Sequence, residues 1–188
     1  MARSRLKSTL AGCAIALASG AVLASCGDHE PGVDEPAREG LAIDVGGLEY
    51  NVFITRPLNL EITPDRAYYD GPAPEPGNAF FGVFLEVCNP DDSDASLPTT
   101  PDFVVEDNQG NEFEPVELPE ENEFAYKSLK LQPGECLPAA GSVAQQGPTG
   151  ATMLLFEFPL TATENRPLEL TITPPAGGGE SKQVELDL

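Results

Sequence analysis

Residues 79–87 have the sequence Ala-Phe-Phe-Gly-Val-Phe-Leu-Glu-Val, and the fold class depends most on this stretch. Alternate residues from Ala79 to Val87 are apolar, which is the period of a β-strand that buries one face. Phe80 and Phe84 make the opposite face partly apolar as well. We therefore expect this segment to be the central strand of a sheet.

The same two-residue period recurs along the rest of the chain. Nineteen prolines and eighteen glycines interrupt the sequence too often for long helices. The turn sequence 107–111 predicts a hairpin with a bulge, and Gly177-Gly178-Gly179 suits a second hairpin loop. The pattern predicts an all-β chain, an antiparallel β-sandwich of about seven to eight strands. The further strand segments are 48–55, 103–105, 112–113, 153–158, 168–172 and 184–188.

The beginning of the chain has the features of an export signal. Arg3, Arg5 and Lys7 precede an apolar run over 10–23, which is shorter than the roughly 20 residues that span a bilayer. Residues 23–26, Leu-Ala-Ser-Cys, resemble the bacterial lipobox, in which the cysteine is acylated after cleavage. This resemblance implies that residues 1–25 are a lipoprotein signal peptide that is removed. Cys26 is then the lipid-attachment residue of an exported, extracytoplasmic protein that the lipid anchors to a bacterial membrane.

The segment after Cys26 contains almost no large apolar side chain. We expect residues 26–40 to form the lipidated N-terminus and a flexible acidic tether, because little there can offset the entropy of ordering. At full extension, the 14 residues 27–40 would reach about 45–50 Å. The sandwich domain is then predicted over residues 41–188.

The chain is strongly acidic, with a formal net charge of −21. Removal of residues 1–25, which hold three of the ten basic residues and no acidic one, would take the charge to −24. Such an excess argues against nucleic acid as a partner, since nucleic acid needs basic patches. It is compatible with a soluble surface domain, a divalent cation or a basic partner.

Fold-making residues between about 45 and 175 resemble those of a known family. An apolar strand ends in Val87-Cys88-Asn89, a Leu-x-Pro-Gly-Glu turn occupies 131–135, and a Pro-Leu-x-Leu strand begins at Pro167. These residues are similar to the Ig-like bacterial lipoprotein domain of unknown function, which resembles a secreted mycobacterial immunogenic antigen in fold. The resemblance implies an immunoglobulin-like sandwich and no settled activity. Cys88, Cys136 and the glycine-rich stretch 141–150 depart from the family pattern.

Two of the four cysteines remain for the exported domain once Cys13 is removed and Cys26 is acylated. We expect Cys88 and Cys136 to form a disulfide, because exported thiols tend to oxidise and both residues lie near strand ends. The alternative is two buried thiols that act as small hydrophobic side chains.

One acidic loop and two insertions are candidates for binding. Asn89, Asp91, Asp92 and Asp94, with Ser93, gather oxygen donors after a strand, so they are weak candidates for a Ca²⁺ site. A solvated turn is the interpretation we favour. The insertions 64–77 and 112–123 could carry binding, although covering a sheet edge is the simpler role.

The sequence contains no recognisable catalytic set. Its one histidine, His29, lies in the predicted tether, and neither zinc-ligand spacing nor a phosphate-binding glycine loop is present. We therefore expect no catalytic residue, enzyme activity or cofactor. The expected role is a membrane-tethered interaction or accessory domain with an envelope protein as partner. The alternative is a lipoprotein that binds a small solute or Ca²⁺.

Overall fold

The computed structural model describes residues 30–188, and these form a β-sandwich. The predicted signal peptide, Cys26 and His29 lie outside the described residues. Within residues 30–188, helix is confined to two four-residue α-helices and one 3₁₀ helix, Leu160–Glu164. The elements are β1 Ala37–Arg38, β2 Ala42–Val45, β3 Leu48–Leu58, α1 Thr63–Arg66, β4 Asn78–Cys88, β5 Leu97–Pro98, β6 Asp102–Glu106, β7 Glu112–Phe113, β8 Pro115–Val116, β9 Lys130–Leu131, β10 Cys136–Leu137, α2 Val143–Gln146, β11 Thr152–Pro159, β12 Glu169–Thr173 and β13 Lys182–Glu185.

Two main sheets carry the fold. The five-stranded sheet has the order β1-β13-β12-β6-β7, and the six-stranded sheet has the order β2-β3-β4-β11-β8 with β10 also paired to β4. Strand β4 pairs with β3 along one side and with β11 and then β10 along the other. The prediction of a central strand over 79–87 is therefore confirmed. So are both hairpins, β6–β7 and β12–β13.

The main core lies between the two sheets, where the period-two apolar residues meet. Phe81 and Phe158 stack there with ring centroids 4.0 Å apart. Burial of such side chains contributes about 1.5–3 kcal/mol each. The core residues with the lowest exposure include Val87, Leu85, Val105, Phe156, Leu168, Leu170 and Ile172.

A second apolar cluster covers the other face of the six-stranded sheet. Phe84 of β4 is covered here by Tyr68 and Phe80 by Tyr69, both from the insertion after β3. Tyr68 packs edge-on between Phe84 and Phe124, with ring centroids 4.9 and 4.8 Å away. The insertion thus covers a sheet face, whereas the sequence interpretation placed it over a sheet edge.

The segment 30–40 differs from the predicted flexible tether. β1 runs parallel to β13, with Ala37 opposite Val184, and Ala37 is only 3% exposed. Gln183 donates a backbone hydrogen bond to Gly32 (2.8 Å). Backbone pairing and the burial of one small side chain hold this segment, so it needs no large apolar residue. The described part of the domain begins at Glu30, eleven residues before the predicted start.

Candidate functional site

The two domain cysteines lie opposite each other on β4 and β10. Cys88 and Cys136 are register partners with Cα atoms 4.1 Å apart, and their sulfurs are bonded at 2.03 Å. The predicted disulfide is therefore present. Among residues 30–188, one group of three acidic or sulfur ligands lies close enough to share an ion, namely Glu86 with these two cysteines. Since the sulfurs are bonded to each other, this group is not a metal centre.

The acidic loop after β4 is organised by its own hydrogen bonds. Asn89 is 1% exposed, and its amide nitrogen donates to the carbonyl oxygens of Ala95 (2.9 Å) and Leu131 (3.0 Å). Asp91 packs against Gly134, and a side chain at position 134 would collide with the Asp91 carboxylate. Asp92 and Asp94 are exposed. Asn89 thus ties this loop to the turn before β10.

A partly open cavity of about 610 Å³ lies beside β8 and β11. The insertion 112–123 supplies one wall through residues 115–120, and residues 125–128 supply the other. Val116 and Leu118 are apolar, whereas Glu117, Glu120 and Lys127 bring both signs of charge. This insertion therefore lines a hollow instead of merely covering an edge. In the sequence, the glutamates and two prolines of this insertion were the features that could have indicated a binding surface.

A pair of tyrosine hydroxyls lies next to this cavity. The hydroxyl of Tyr126 donates weakly to the carbonyl of Thr99 (3.4 Å) and lies 3.5 Å from that of Tyr50. Burial raises the pKa of Tyr126 far above its ordinary value, and burial also raises the pKa of Tyr50. Both hydroxyls stay protonated at neutral pH and act as hydrogen-bonding groups.

The partly buried ion pair Arg56–Asp65 was not found from the sequence. Arg56 Nη2 lies 2.6 Å from Asp65 Oδ1, and the guanidinium sits 5.6 Å from the Tyr68 ring centroid and 5.5 Å from that of Phe84. The hydrogen bond from Arg56 lowers the pKa of Asp65. Asp65 also accepts from the backbone of Asn59 (2.7 Å). This arrangement fixes α1 over the second cluster, and the nine-residue separation left no local pattern to detect.

Asp107 is the hub of the β6–β7 hairpin. Its carboxylate accepts hydrogen bonds from the backbone of Gln109 (2.9 Å), the backbone and side chain of Asn111 (2.9–3.1 Å) and the side chain of Asn165 (2.9 Å). These donors, led by the Asn111 side chain, lower the pKa of Asp107 to about 2. A carboxylate with this many donors stabilises a turn and is a poor general base.

Residues 30–188 contain no helix with the length and hydrophobicity required to cross a membrane.

Comparisons with known proteins show the fold class. Neither a scan against protein families nor a search of curated proteins finds a match. Among solved structures, the yjhA protein of Bacillus subtilis superposes with a TM-score of 0.50 at 12% identity, covering 81% of this chain and 100% of that one. An uncharacterized β-sandwich protein of Clostridium difficile gives a TM-score of 0.49 at 13% identity, covering 81% and 95% of the two chains.

The ycdA protein of Bacillus subtilis, described as a candidate lipoprotein, gives a TM-score of 0.51 at 12% identity. The superposition covers 79% of this chain but 38% of that one, so this chain spans well under half of its length. At such low identity, the similarities to yjhA and ycdA, with TM-scores of 0.50 and 0.51, show a shared fold and carry no activity across.

Proposed function

We propose that this chain is an exported lipoprotein whose β-sandwich acts as a non-catalytic interaction or accessory domain at a bacterial membrane surface. The observation that carries the proposal is the sequence Leu23-Ala24-Ser25-Cys26 at the end of an export signal, four residues before the described domain begins. Acyl chains contribute about 0.8 kcal/mol per buried CH₂, and stable anchoring takes two or more chains. The anchored protein then needs no transmembrane helix.

The finer family assignment is part of this proposal. We place the sandwich with the Ig-like bacterial lipoprotein domains on the positions of its turn and strand residues. Val87-Cys88-Asn89 closes the central strand β4, and residues 131–135 form the turn between β9 and β10. Contacts between these residues support the assignment, since the Asn89 side chain donates a hydrogen bond to the carbonyl oxygen of Leu131, the first residue of this turn.

A non-catalytic role is supported by how the polar groups of the domain are used. Asp65 and Asp107 are engaged in hydrogen bonds that hold α1 and a hairpin in place. The one histidine of the sequence precedes residue 30, so the described domain contains no imidazole to act as a general base. Side chains that hold structure in this way favour recognition by a surface over chemistry in a cleft.

The anchor is tested by replacing Cys26. Full-length protein expressed in its bacterial host should fractionate with membranes, and mass spectrometry should show acyl chains on a chain that starts at Cys26. Cys26→Ala should move the protein to the soluble or secreted fraction, whereas Cys13→Ala should leave it on membranes. An unmodified N-terminus at another residue would disprove the anchor.

The interaction role is tested by cross-linking the intact lipoprotein in envelope membranes, followed by solubilisation and affinity purification. The expected result is a defined envelope protein captured by the wild type and lost when Cys26→Ala removes the bait from the membrane. Turnover of a substrate by the purified domain would overturn the non-catalytic assignment.

A ligand role for the acidic loop predicts a calcium-dependent melting temperature that Asp92→Asn/Asp94→Asn abolishes. We expect instead that a chelator changes the melting temperature by less than about 2 °C, although saturating ligand would add about 2.7 kcal/mol at 100 times Kd.

A further inference from the structure

The covalent path between the proposed lipid site and the folded domain is short. Four Cα–Cα steps separate Cys26 from Glu30, which limits their separation to about 14 Å even at full extension. The tether expected from sequence, ending at residue 40, would have reached about 45–50 Å. The difference changes what an anchored domain can do, because a short connection restricts orientation as well as distance.

The domain is held firmly at the point where this connection enters it. Glu30 forms an ion pair with Lys182, whose side chain is almost fully buried with 7% residue exposure. Gly32 and Gln183 are joined by a backbone hydrogen bond, and Ala37 is packed into the core. The segment from Glu30 onward is thus part of the sandwich, so the length that counts is only that between Cys26 and Glu30.

Glu30 lies at one end of the sandwich, which we call the proximal end. This end contains the start of β13 at Lys182 and the preceding loop 174–181. The turn at Gly46 is adjacent, because a Cβ at Gly46 would lie 3.4 Å from the carbonyl oxygen of Gly178. The opposite end, which we call the distal end, contains the hairpin loop 107–111. There, Asp107 and Pro159 line the same hollow of about 500 Å³.

The length of the strands sets the distance between the two ends. In the five-stranded sheet, which holds Glu30, Gly32 is bonded to Gln183, and Gln183 is level with Val104 across β12. Asp107 lies three residues beyond Val104 and Glu30 two residues before Gly32, which together correspond to about 17 Å. An inverted domain would therefore place Glu30 about 17 Å or more from the bilayer, beyond the roughly 14 Å that the connection reaches at full extension.

We propose that the anchor holds the sandwich with its proximal end toward the bilayer and its distal end, around the loop 107–111, directed away from the membrane. This proposal rests on acylation of Cys26. The partner surface at the proximal end is the lipid headgroup layer, and the covalent connection maintains the arrangement. Attraction to anionic lipid does not contribute, since exposed Glu35 and Glu180 make this end acidic.

The outer face of the five-stranded sheet is acidic like the proximal end, so charge repulsion alone does not distinguish a flat domain from an upright one. Glu112, Glu106, Glu169 and Glu185 are successive register partners across β7, β6, β12 and β13. Their carboxylates form a row on that face, which an anionic headgroup layer would repel over about 8 Å at physiological ionic strength. With the proximal end toward the bilayer, the distal end stays accessible to proteins in the compartment beyond the membrane.

The chain contains no tryptophan, so one introduced tryptophan reports a single position without background. Glu180→Trp places the reporter at the proximal end, and Gln109→Trp places it at the distal end; both sites are exposed. The acylated protein is reconstituted into vesicles that carry dansyl headgroups, and energy transfer from tryptophan is measured. We expect roughly twofold or greater transfer from the proximal reporter, because the ends differ by about one strand length. Equal transfer, or stronger transfer from the distal reporter, would overturn the proposal.

A flexible insertion shows whether connection length is the cause. Twenty Gly/Ser residues between Asp28 and His29 raise the root-mean-square reach to about 25–29 Å, which should remove the difference between reporters. The same insertion between Pro72 and Ala73 is the control and should leave the difference intact. A difference that survives the insertion at Asp28 would also contradict the proposal.

A second form of anchoring tests the orientation of the domain independently of native acylation. Protein that starts at Cys26 is coupled through that thiol to a maleimide lipid, since the other two mature cysteines are bonded to each other. If mass spectrometry finds no acyl chain on native Cys26, the proposed function fails. The reporter ratio on maleimide vesicles still tests the orientation of the domain.

Discussion

Asp65 and Arg56 show how a single ion pair holds an insertion on the sheet. The Asp65 carboxylate is 3% exposed, whereas about a third of the Arg56 side chain reaches solvent. Removing Arg56 leaves a buried carboxylate without its charged partner, but removing the charge of Asp65 leaves a guanidinium that water can still hydrate. The two halves of the pair are therefore unequal in their effect on stability.

We predict that Arg56→Met destabilises the domain by about 2–3 kcal/mol, somewhat less than full loss of a partner from a completely buried pair. Asp65→Asn should cost clearly less, because the amide oxygen can still accept from Asn59. Chemical denaturation of both variants and of the double variant measures the coupling. Equal costs for the two single variants would contradict this account.

Asp107 gives the domain a specific dependence on acid. Its pKa is lowered to about 2 in the folded state, against about 3.9 in an unfolded chain. The folded state therefore binds fewer protons in this interval, so the stabilisation is complete above about pH 4 and is lost as the pH falls through about 2.

We predict that Asp107→Asn lowers stability at neutral pH and removes part of the loss between about pH 4 and pH 2. Denaturation curves at a series of pH values provide the measurement. Asp92→Asn, in an exposed position, is the matched control. A variant whose acid profile coincides with that of the wild type would show that the hydrogen bonds to Asp107 do not stabilise the fold.

The five-stranded sheet carries four glutamates in one cross-strand row, with Arg38 beyond the last of them at a distance of 3.9 Å from Glu185. Glu169 is in the middle of the row, between Glu106 and Glu185. Burial raises the pKa of Glu169, and the two neighbouring carboxylates raise it further. Because the folded state takes up a proton more readily here, ionisation of Glu169 destabilises the fold, and this cost disappears as the pH falls through the raised pKa.

We predict that Glu169→Gln stabilises the domain by about 0.5 kcal/mol at pH 7, since like charges directly opposite on a sheet repel. The gain should shrink toward pH 4, where the wild-type carboxyl is protonated. Thermal melts at the two pH values compare it with Glu164→Gln, an exposed substitution outside the row. Destabilisation by Glu169→Gln at pH 7 would be the opposite of this expectation.

The disulfide joins the central strand to β10, which is only two residues long. In a chain that already lacks Cys26, we predict that Cys88→Ala/Cys136→Ala lowers stability by about 4 kcal/mol, from loop-closure entropy over a separation of 48 residues. Thiol titration of the denatured, unreduced Cys26→Ala mature protein should find no reactive thiol. About two thiols per chain would mean that the bond does not form in the exported protein.

At the scale of the whole molecule, the segment 30–40 belongs to the folded domain. We predict that Ala37→Glu lowers the melting temperature by about 5–10 °C, which corresponds to about 2–3 kcal/mol in a domain of this size. The matched substitution Val33→Glu, at a position in the same segment that is 39% exposed, should have little effect. If both variants melt like the wild type, the segment is a tether, as its composition suggested.

Local sequence determined the longer strands of this protein and two of its hairpins, whereas two-residue strands such as β1 and β5, which bring the described total to thirteen against the predicted seven to eight, have no pattern of their own. The alternation over 79–87 and the turn 107–111 are properties of neighbouring residues, so a central strand and a hairpin could be predicted without knowledge of distant contacts. Even the second apolar cluster was signalled by Phe80 and Phe84 on the outer face of β4. Its cover, Tyr68, was visible as an aromatic residue in an insertion, although nothing local connected the two.

Tertiary structure decided the features that depend on contacts across the chain. Residues 30–40 have the composition of a tether, yet they are held by β13, about 150 residues away, through backbone hydrogen bonds that do not depend on side-chain type. The same holds for the row of glutamates, which strand register alone aligns, and for the pairing of Arg56 with Asp65. Hydrophobic periodicity records which face of a segment is buried, whereas register and long-range pairing exist only after the chain has folded.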